Sequence, residues 1–346
     1  MATRRILVTG STGFIGSRLV LNLLEKGESK IRCFCRQNIN MEKIKILKDR
    51  FPNREIEIFQ GNLANQKEAK KAVKNVEVIY NCVASKSGPI GSMFLNTVVT
   101  TKNLLEAVRT LGNIRRFIHI SSFAVYGIAN LEASTIISET TPLELNLKRR
   151  DDPYVFTKLK QEMLVWKYGA KYGLPLVVVR PGVIYGPGGD EISRRIGINF
   201  LGHFLNIGKN NILPLSYIDN CADAIILAGT VPGVEGEAFN IHDSELCTCN
   251  EFLTLYRKEV KRIKIIKIPY YIFLLFSSII EKYAKHSKGQ IPAVINPYKA
   301  ASIWKGYRFD NTKIIEKLGW TQKISTEQGL KEHFNYCREI HSLEKK

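Results

Sequence analysis

Tyr154 and Lys158 have the types and spacing that could move a proton. They lie four positions apart in Tyr154-Val155-Phe156-Thr157-Lys158, within a run predicted to be helical, so both face one side of the helix. A lysine ammonium beside a phenol lowers the pKa of the phenol, which lets a tyrosine exchange protons near neutral pH. An amphipathic helix face shows the same spacing, so the pair alone does not establish catalysis.

A serine pair, Ser121 and Ser122, lies at the end of a predicted buried strand, residues 118–121. A serine at the carboxyl end of a parallel strand faces the crevice in which ligands of open α/β sheets bind. Its hydroxyl can hold a substrate oxygen while charge develops on that oxygen. We therefore expect this strand end to contribute to a substrate site.

Three glycines, Gly10, Gly13 and Gly16, separate a predicted strand at residues 6–8 from a predicted helix at residues 17–26. Such glycines allow the tight turn, the approach of a pyrophosphate to the backbone, and close packing of helix on strand. The helix amino terminus then offers unpaired N–H groups to the phosphates. This context predicts a dinucleotide site.

Arg36 follows the second predicted strand, residues 31–35, where the adenosine ribose of a dinucleotide would lie. An acidic residue there would bind the ribose hydroxyls of NAD, whereas an arginine can pair with a 2′-phosphate. The arginine favours NADP(H) over NAD(H). A solvated strand end, or stacking on adenine, is the alternative. Asn62 has both a donor and an acceptor for the adenine amino group.

The elements that position these residues alternate along the chain. Strands are predicted at residues 6–8, 31–35, 56–59, 76–83, 116–121 and 176–180, and helices at 17–26, 41–51, 67–73, 96–111 and 154–171. Alternation of this kind predicts an α/β fold, a doubly wound parallel (Rossmann) sheet with helices on both faces. We expect a dinucleotide-binding domain at residues 1–182 and mainly a smaller, interleaved substrate lobe at 183–346. Later strands, at about 213–218 and 239–242, are expected to return to the first domain.

Composition limits the partners. The 346 residues include 51 Lys and Arg against 32 Asp and Glu, a net charge of +19, which favours anionic ligands or surfaces unless it reflects a general lysine bias. The basic residues are scattered, so nucleic acid is not expected. The seven cysteines lack metal-ligand spacing, so no metal is expected, and they indicate a reducing, cytoplasmic location.

The most apolar uncharged run covers residues 268–280 and is too short for a membrane span, which needs ~20 residues. Basic residues lie on both sides of it: Lys261, Arg262, Lys264, Lys267, Lys282, Lys285 and Lys288. The run could line a lipophilic pocket, or rest on an anionic membrane through residues 268–288. An ordinary helix that packs inside the lobe is the third interpretation.

In this order, the glycine turn, strand-end serine and Tyr/Lys pair resemble the extended short-chain dehydrogenase/reductase family. The segments NTVVTTKNLLEA from Asn96, RPGVIYGPG from Arg180 and DNTKIIEKLGW from Asp310 are also similar to family segments, so the resemblance covers nearly the whole chain. Asn62 stands where the family usually has Asp. Asn81-Cys82-Val83-Ala84 stands where His-Leu-Ala-Ala is common.

The resemblance implies three catalytic residues, Ser122, Tyr154 and Lys158. Ser122 is preferred to Ser121 because the family serine lies four residues before the tyrosine that matches Tyr126. The resemblance also implies a homodimer through the helices at residues 96–111 and 154–171. The expected cofactor-binding residues are Gly10, Thr12, Gly13, Phe14, Ile15, Gly16, Arg36, Asn62, Leu63, Val83, Ala84, Tyr154, Lys158, Pro181 and Val183.

Several reactions share this machinery. Phe123-Ala124 stands where nucleotide-sugar 4,6-dehydratases carry an Asp-Glu pair, which argues against a dehydratase. The segment from Leu213 to Asn220, and later Gln290-Ile291-Pro292, resemble the branch of 3β-hydroxysteroid dehydrogenases and dihydroflavonol reductase-like proteins. We expect an NAD(P)-dependent enzyme that interconverts a secondary alcohol and a ketone on a small or lipophilic metabolite. A nucleotide-sugar epimerase is the alternative, and a non-catalytic dinucleotide-binding scaffold is the second.

Overall fold

The first part of the chain alternates strands with helices. The computed structural model describes residues 5–37, 39–287 and 295–343. In chain order its elements begin β1 (Arg5–Thr9), α1 (Phe14–Glu25), β2 (Lys30–Cys35), α2 (Glu42–Arg50), β3 (Glu55–Gln60), α3 (Gln66–Val73), β4 (Val78–Asn81), α4 (Ile90–Phe94), a π-helical turn (Leu95–Val99), α5 (Thr100–Leu111) and β5 (Arg116–Ile120). A 3₁₀ turn (Phe123–Val125), β6 (Ile136–Ile137), α6 (Leu147–Arg150), α7 (Pro153–Tyr172) and β7 (Leu176–Pro181) follow.

The rest of the chain has shorter strands. Its elements are β8 (Val183–Tyr185), β9 (Gly197–Phe200), β10 (His203–Asn206), β11 (Leu215–Tyr217), α8 (Ile218–Thr230), β12 (Ala238–Ile241), α9 (Cys249–Glu259), β13 (Ile265–Lys267), α10 (Tyr270–His286), α11 (Pro297–Trp304), β14 (Arg308–Phe309), α12 (Thr312–Leu318) and α13 (Thr326–Leu343). Most of these elements form a second lobe beside the large sheet.

Seven parallel strands form the large sheet, in the order β12-β7-β5-β4-β1-β2-β3. Helices cover both faces, so the central strands are apolar on both sides; Ile6, Leu7 and Val8 of β1 are fully buried. The predicted doubly wound α/β fold is confirmed. The strand order reverses direction at β1, because β2 lies on one side of it and β4 on the other. Ligands of such sheets bind beyond the carboxyl ends of the strands at this point.

The two late strand runs behave differently. β12 pairs with β7 and extends the large sheet, whereas β11 pairs with β8 in a separate two-stranded sheet. β12 therefore returns to the large sheet and β11 does not join it, while the division into two domains stays a prediction. The chain leaves the large sheet at Gly182, between β7 and β8. A Cβ on Gly182 would come within 2.2 Å of the Pro214 carbonyl oxygen, so the close approach of the two segments requires a glycine there.

The helix predicted at residues 96–111 begins differently in the structure. Its first turn is π-helical, and the regular helix α5 starts only at Thr100. Thr97 lies in this turn, where its hydroxyl accepts a hydrogen bond from the Ser85 N–H at 3.0 Å and its carbonyl accepts one from Gln161 at 3.3 Å. Bonds from two other segments thus occupy polar groups of the turn, and π-helical turns are frequent at functional sites.

α10 begins at Tyr270, contains the rest of the apolar run to residue 280 and continues to His286. Phe273, Ser277 and Ala284 on one face are buried, while most of the remaining apolar side chains are exposed. Across the part of the chain that the structure describes, no helix is long and apolar enough to cross a membrane. Lys288 and the Gln290-Ile291-Pro292 segment lie outside the described residues.

Candidate active site

The turn between β1 and α1 has the backbone geometry that its glycines predict. Gly10 has a φ of +65°, in the left-handed region that favours glycine. A Cβ on Gly16 would lie 2.1 Å from the Gly10 carbonyl oxygen, so no side chain fits there. Gly13 caps α1 without a side-chain hydrogen bond, which leaves the first N–H groups of the helix available to an anion.

A pocket of about 330 Å³ opens beside this turn, at the carboxyl ends of β1, β2 and β4. Eight of the predicted cofactor residues line it: Gly10, Thr12, Gly13, Arg36, Asn62, Leu63, Val83 and Ala84. Sequence reasoning missed eight further lining residues: Phe34, Cys35, Ile39, Cys82, Ser85, Lys86, Asn96 and Thr100. The bare glycine turn, the Arg36 cation and the polar Asn62 edge fit a dinucleotide.

The other predicted cofactor residues lie around this pocket without lining it. Gly16 is buried behind the turn, and Ile15 packs against the core between sheet and helices. The Phe14 ring contacts the glycines after β8, since a Cβ on Gly189 would lie 2.9 Å from it. Pro181 ends β7 and Val183 begins β8; β5 separates β7 from β4, so these two residues lie further along the same edge of the sheet.

The structure brings Ser122, Tyr154 and Lys158 together at the carboxyl end of β5. Lys158 is 2% exposed, and its Nζ donates hydrogen bonds to the Ile120 carbonyl and to Gln161 Oε1, both at 2.6 Å. Ser122 lies two residues beyond Ile120 and is hydrogen-bonded to the Tyr154 phenol. Tyr154 is in the first turn of α7, where Asp152 caps the helix by accepting from the Tyr154 N–H at 3.0 Å.

The pKa of Tyr154 is shifted in the opposite direction from the one that the sequence predicts. The pKa of Tyr154 is raised above its ordinary value by burial, and the charge of Asp152 raises it further, while the Ser122 hydrogen bond lowers it. The net displacement of the pKa of Tyr154 is upward, opposite to the direction that its spacing from Lys158 predicts. The phenol stays protonated at neutral pH and is available as a proton donor.

Lys158 itself is shifted more strongly. Burial lowers its pKa to about 7, and the carboxylate of Glu162 and the thiol of Cys82 oppose that shift. Gln161, which sequence reasoning missed, is fully buried and connects Lys158 to the helix bearing Thr101, whose hydroxyl accepts from Gln161 Nε2 at 2.8 Å. Its place three residues after Lys158, on the same face of α7, is the signal that could have identified it.

A buried ion pair supports the serine end of β5. Arg180 on β7 and Glu162 on α7 are joined at 2.6 Å, and Glu162 is fully buried. Glu162 also accepts hydrogen bonds from the Ser121 hydroxyl and from Trp166 Nε1. Arg180 donates to the Tyr126 hydroxyl at 3.0 Å. Ser121 is thus a structural partner of Glu162, which leaves Ser122 as the serine that faces Tyr154.

The segment before α7 carries three consecutive basic residues, Lys148, Arg149 and Arg150. Lys148 and Arg149 are exposed, whereas Arg150 is 5% exposed. Its Nε and Nη1 atoms have no hydrogen-bond partner among the described residues. Burial lowers the pKa of Arg150, and the nearby charges of Asp152 and Glu144 oppose that shift.

Other features of the surface do not compete with this site. A larger groove of about 770 Å³ lies between α9 and α13 and contains none of the predicted site residues. Within the described ranges, no three His, Cys, Asp or Glu side chains are grouped so as to hold a metal ion. The chemistry-bearing residues therefore concentrate at the carboxyl end of the large sheet.

Comparison with protein families agrees with this geometry. The model of the NAD dependent epimerase/dehydratase family matches residues 6–241. The chain belongs to this family. Its members are NAD-dependent dehydrogenases, dehydratases and epimerases, so the chain is an NAD(P)-dependent enzyme of the oxidoreductase or epimerase type. The matched range begins in β1 and ends in β12, and includes Ser122, Tyr154 and Lys158.

Curated relatives of different activities are similar to the chain. A 3-beta-hydroxysteroid dehydrogenase of Mycolicibacterium neoaurum is 27% identical over 360 residues, covering 97% of this chain and 92% of the relative. A trifunctional UDP-glucose 4,6-dehydratase/UDP-4-keto-6-deoxy-D-glucose 3,5-epimerase/UDP-4-keto-L-rhamnose-reductase of Arabidopsis thaliana is 26% identical over 96% of this chain. The chain spans only 47% of that longer relative.

Solved structures share the fold. UDP-glucuronic acid 4-epimerase of Bacillus cereus, in complex with NAD, superposes with a TM-score of 0.73 at 22% identity, covering 97% of this chain and 99% of that chain. The dTDP-glucose 4,6-dehydratase of Bacillus anthracis, also with NAD, has a TM-score of 0.73 at 24% identity, covering 98% of both chains. At these identities the likeness establishes the fold alone.

Proposed function

We propose that the protein is an NADP(H)-preferring oxidoreductase that interconverts a secondary alcohol and a ketone on a small or lipophilic metabolite. The observation that supports this most is the convergence of Ser122, Tyr154 and Lys158 on the end of β5, beside the pocket at the β1–α1 turn. Phe123 and Ala124 follow Ser122, so no acid stands next to it for the elimination of water.

In this proposal each side chain has a separate task. The chemistry that a bound nicotinamide dinucleotide supplies is transfer of hydride to or from carbon. Ser122 holds the substrate oxygen, and Tyr154, protonated at neutral pH, donates a proton to it in the reductive direction. Lys158, anchored by Ile120 and Gln161, lies one helical turn from Tyr154 and in this proposal orients the nicotinamide ribose.

The preference for NADP(H) depends on Arg36. It is exposed at the end of β2 and lines the pocket, and a guanidinium can bind a 2′-phosphate with two charge-assisted hydrogen bonds. In the described chain Arg36 makes no ion pair with an acid that would compete for it. Lys86 lines the same pocket and adds positive charge there.

A steady-state assay tests both parts of the proposal. NADPH and NADH would be titrated, and absorbance of the reduced nicotinamide followed with lipophilic ketones and with nucleotide sugars. We expect net NADPH oxidation with a ketone, and a loss of at least about 100-fold in kcat for Tyr154→Phe with unchanged cofactor affinity. Tyr172→Phe, an exposed tyrosine on the same helix, is the matched control. Arg36→Leu should weaken NADPH binding about 10- to 100-fold and leave NADH binding unchanged.

An epimerase is the second candidate, since the family and several similar structures include epimerases. Oxidation and re-reduction at one carbon would use the same three side chains without net cofactor change. Interconversion of a nucleotide sugar without net NADPH oxidation would replace the proposed reaction by this one. Cofactor binding without any turnover across the whole panel would instead indicate a scaffold, and equal affinity for NADPH and NADH would contradict the role of Arg36.

A further inference from the structure

One face of α10 exposes an unbroken apolar stripe. The exposed fractions are 80% for Tyr271, 47% for Ile272, 64% for Leu275, 55% for Phe276, 54% for Ile279, 40% for Ile280 and 64% for Tyr283. These positions recur at intervals of three and four, so they form one side of the helix. Contiguous apolar surface of this kind marks a site of interaction with a partner or a membrane.

The opposite face of α10 already attaches the helix to its lobe. Phe273 packs edge-on against Trp304 of α11, with ring centroids 5.0 Å apart, and belongs to a cluster that includes Ile207 and Ala300. Ser277 is fully buried on the same face and donates to the Leu274 carbonyl at 2.7 Å. The exposed stripe is therefore additional to the surface that α10 needs for packing within the described fold.

The neighbouring three-stranded sheet adds to this surface. In the register of β9, β10 and β13, Phe200, Ile198 and Ile266 share one face of the sheet. Ile198 packs in the cluster that attaches α10, whereas Phe200 is 58% exposed and Ile266 is 47% exposed. The register therefore places the exposed Phe200 and Ile266 beside Ile198, which packs in the cluster that holds α10.

Basic side chains border the stripe at both ends. Lys261, Arg262, Lys264 and Lys267 precede α10, and Lys282 and Lys285 lie in its last turns, against a single acid, Glu281. Glu281 pairs with Lys285 at 2.9 Å. Arg262, Lys264, Lys267 and Lys282 are exposed and form no ion pair with a described residue. Positive charge that borders an apolar face matches the surface of a bilayer with anionic lipids.

We propose that α10 and its basic flanks, residues 261–287, dock the protein on an anionic lipid surface. The helix lies along the surface with its apolar stripe among the acyl chains, and the lysines contact the headgroups. A second copy of the chain fits this face less well, because a symmetric pair would bring the same uncompensated lysines together. The proposal does not depend on which reaction the enzyme catalyses.

Vesicle co-sedimentation of the full chain tests the proposal. The probes are vesicles of phosphatidylcholine alone and of phosphatidylcholine with phosphatidylglycerol. We expect binding to the mixed vesicles, falling as salt increases. The triple variant Leu275→Ser/Phe276→Ser/Ile279→Ser should lose at least about 30-fold in partition coefficient. The triple variant Lys264→Gln/Lys267→Gln/Lys282→Gln should lose about five-fold for each lysine removed.

Matched controls separate this face from the general charge and apolarity of the surface. Ile46→Ser/Leu145→Ser/Ile315→Ser and Lys70→Gln/Lys317→Gln/Lys331→Gln change exposed residues elsewhere and should bind vesicles like the original chain. Equal binding by the α10 variants and their controls would overturn the proposal. The proposal would also be overturned if the α10 apolar variant bound vesicles like the original chain but had a lower oligomeric mass in solution. A second copy of the chain, rather than a membrane, would then cover the stripe.

Discussion

Lys158 is almost fully buried, with only 2% of its surface exposed. Because its pKa falls from 10.5 to about 7 on folding, the unfolded chain binds more protons than the folded chain between these values. The ammonium therefore destabilises the fold below pH 7, and this cost diminishes as the pH rises toward 10.5. The lysine is poised to lose its charge near neutral pH unless a ligand favours the ammonium.

Chemical denaturation of the protein and of Lys158→Met tests this shift. The free energy of unfolding of the original chain, relative to that of the variant, should rise as pH increases from 7 toward 10.5. The slope should be at most about 1.4 kcal/mol per pH unit. The variant corrects for the titrating groups that do not interact with Lys158. A difference that stays constant across this range would show that Lys158 keeps an ordinary pKa in the folded protein.

Replacement of either of two buried arginines near the site by an uncharged residue should change the free energy of unfolding, in opposite directions for the two. Arg180 is paired with buried Glu162, so Arg180→Met leaves a buried carboxylate uncompensated and should lower the free energy of unfolding by about 3–5 kcal/mol. Arg150 leaves two guanidinium nitrogens without a partner among the described residues, so Arg150→Met should raise it by about 1–3 kcal/mol.

Urea denaturation of the two variants measures this contrast. Both replacements keep a long apolar side chain, so packing volume changes little in either case. Destabilisation by Arg150→Met would show that the guanidinium is satisfied in solution, with Asp152 and Glu144, whose charges act on it, as the candidate partners. In that case the cost of a buried unpaired charge does not apply at this position.

At the scale of elements, the β1–α1 turn is the part of the site with the least room for change. Gly16→Ala would place a methyl group 2.1 Å from the Gly10 carbonyl oxygen, which forces strand and helix apart. We expect the free energy of unfolding to fall by about 1–3 kcal/mol and dinucleotide binding to weaken by more than about 100-fold. Isothermal titration with NADPH and thermal unfolding measure the two effects.

Gly91→Ala in α4 is the control for that change. A Cβ at Gly91 meets no atom within 4 Å, so the same substitution should be tolerated. If Gly16→Ala binds NADPH as well as Gly91→Ala does, the close approach of helix to strand is not needed for the cofactor. The comparison therefore isolates the turn from the general cost of adding a methyl group.

At the scale of the whole molecule, the family resemblance led us to expect a homodimer through α5 and α7, and we propose that association here. Leu95 beside α5 is 46% exposed, Leu111 at its end 48%, and Met163 on α7 48%. Leu95→Glu/Met163→Glu should shift the mass in sedimentation equilibrium from dimer to monomer. Ile46→Glu/Ile315→Glu, also at exposed apolar positions, should not. A monomeric original chain would exclude this assembly.

Patterns within short stretches were enough to predict much of the molecule. Strands that alternate with helices, each strand a continuous apolar run, predicted the parallel sheet. A strand that helices cover on both faces of the sheet is buried on both sides and therefore needs such a run. The glycine turn predicted the pocket, because its conformation and close packing exclude side chains at Gly10 and Gly16. Ser122, Tyr154 and Lys158 were identified from spacing and resemblance, and the fold brings them to one strand end.

Contacts between distant segments decided the rest. Lys158 bonds to β5, Arg150 is buried while its neighbours are exposed, and β11 pairs with β8 outside the large sheet. The sequence identified the apolar run of α10, but only its packing on Trp304 decided which face is exposed. Each outcome depends on which partner a side chain meets in space, and local spacing carries no information about that partner.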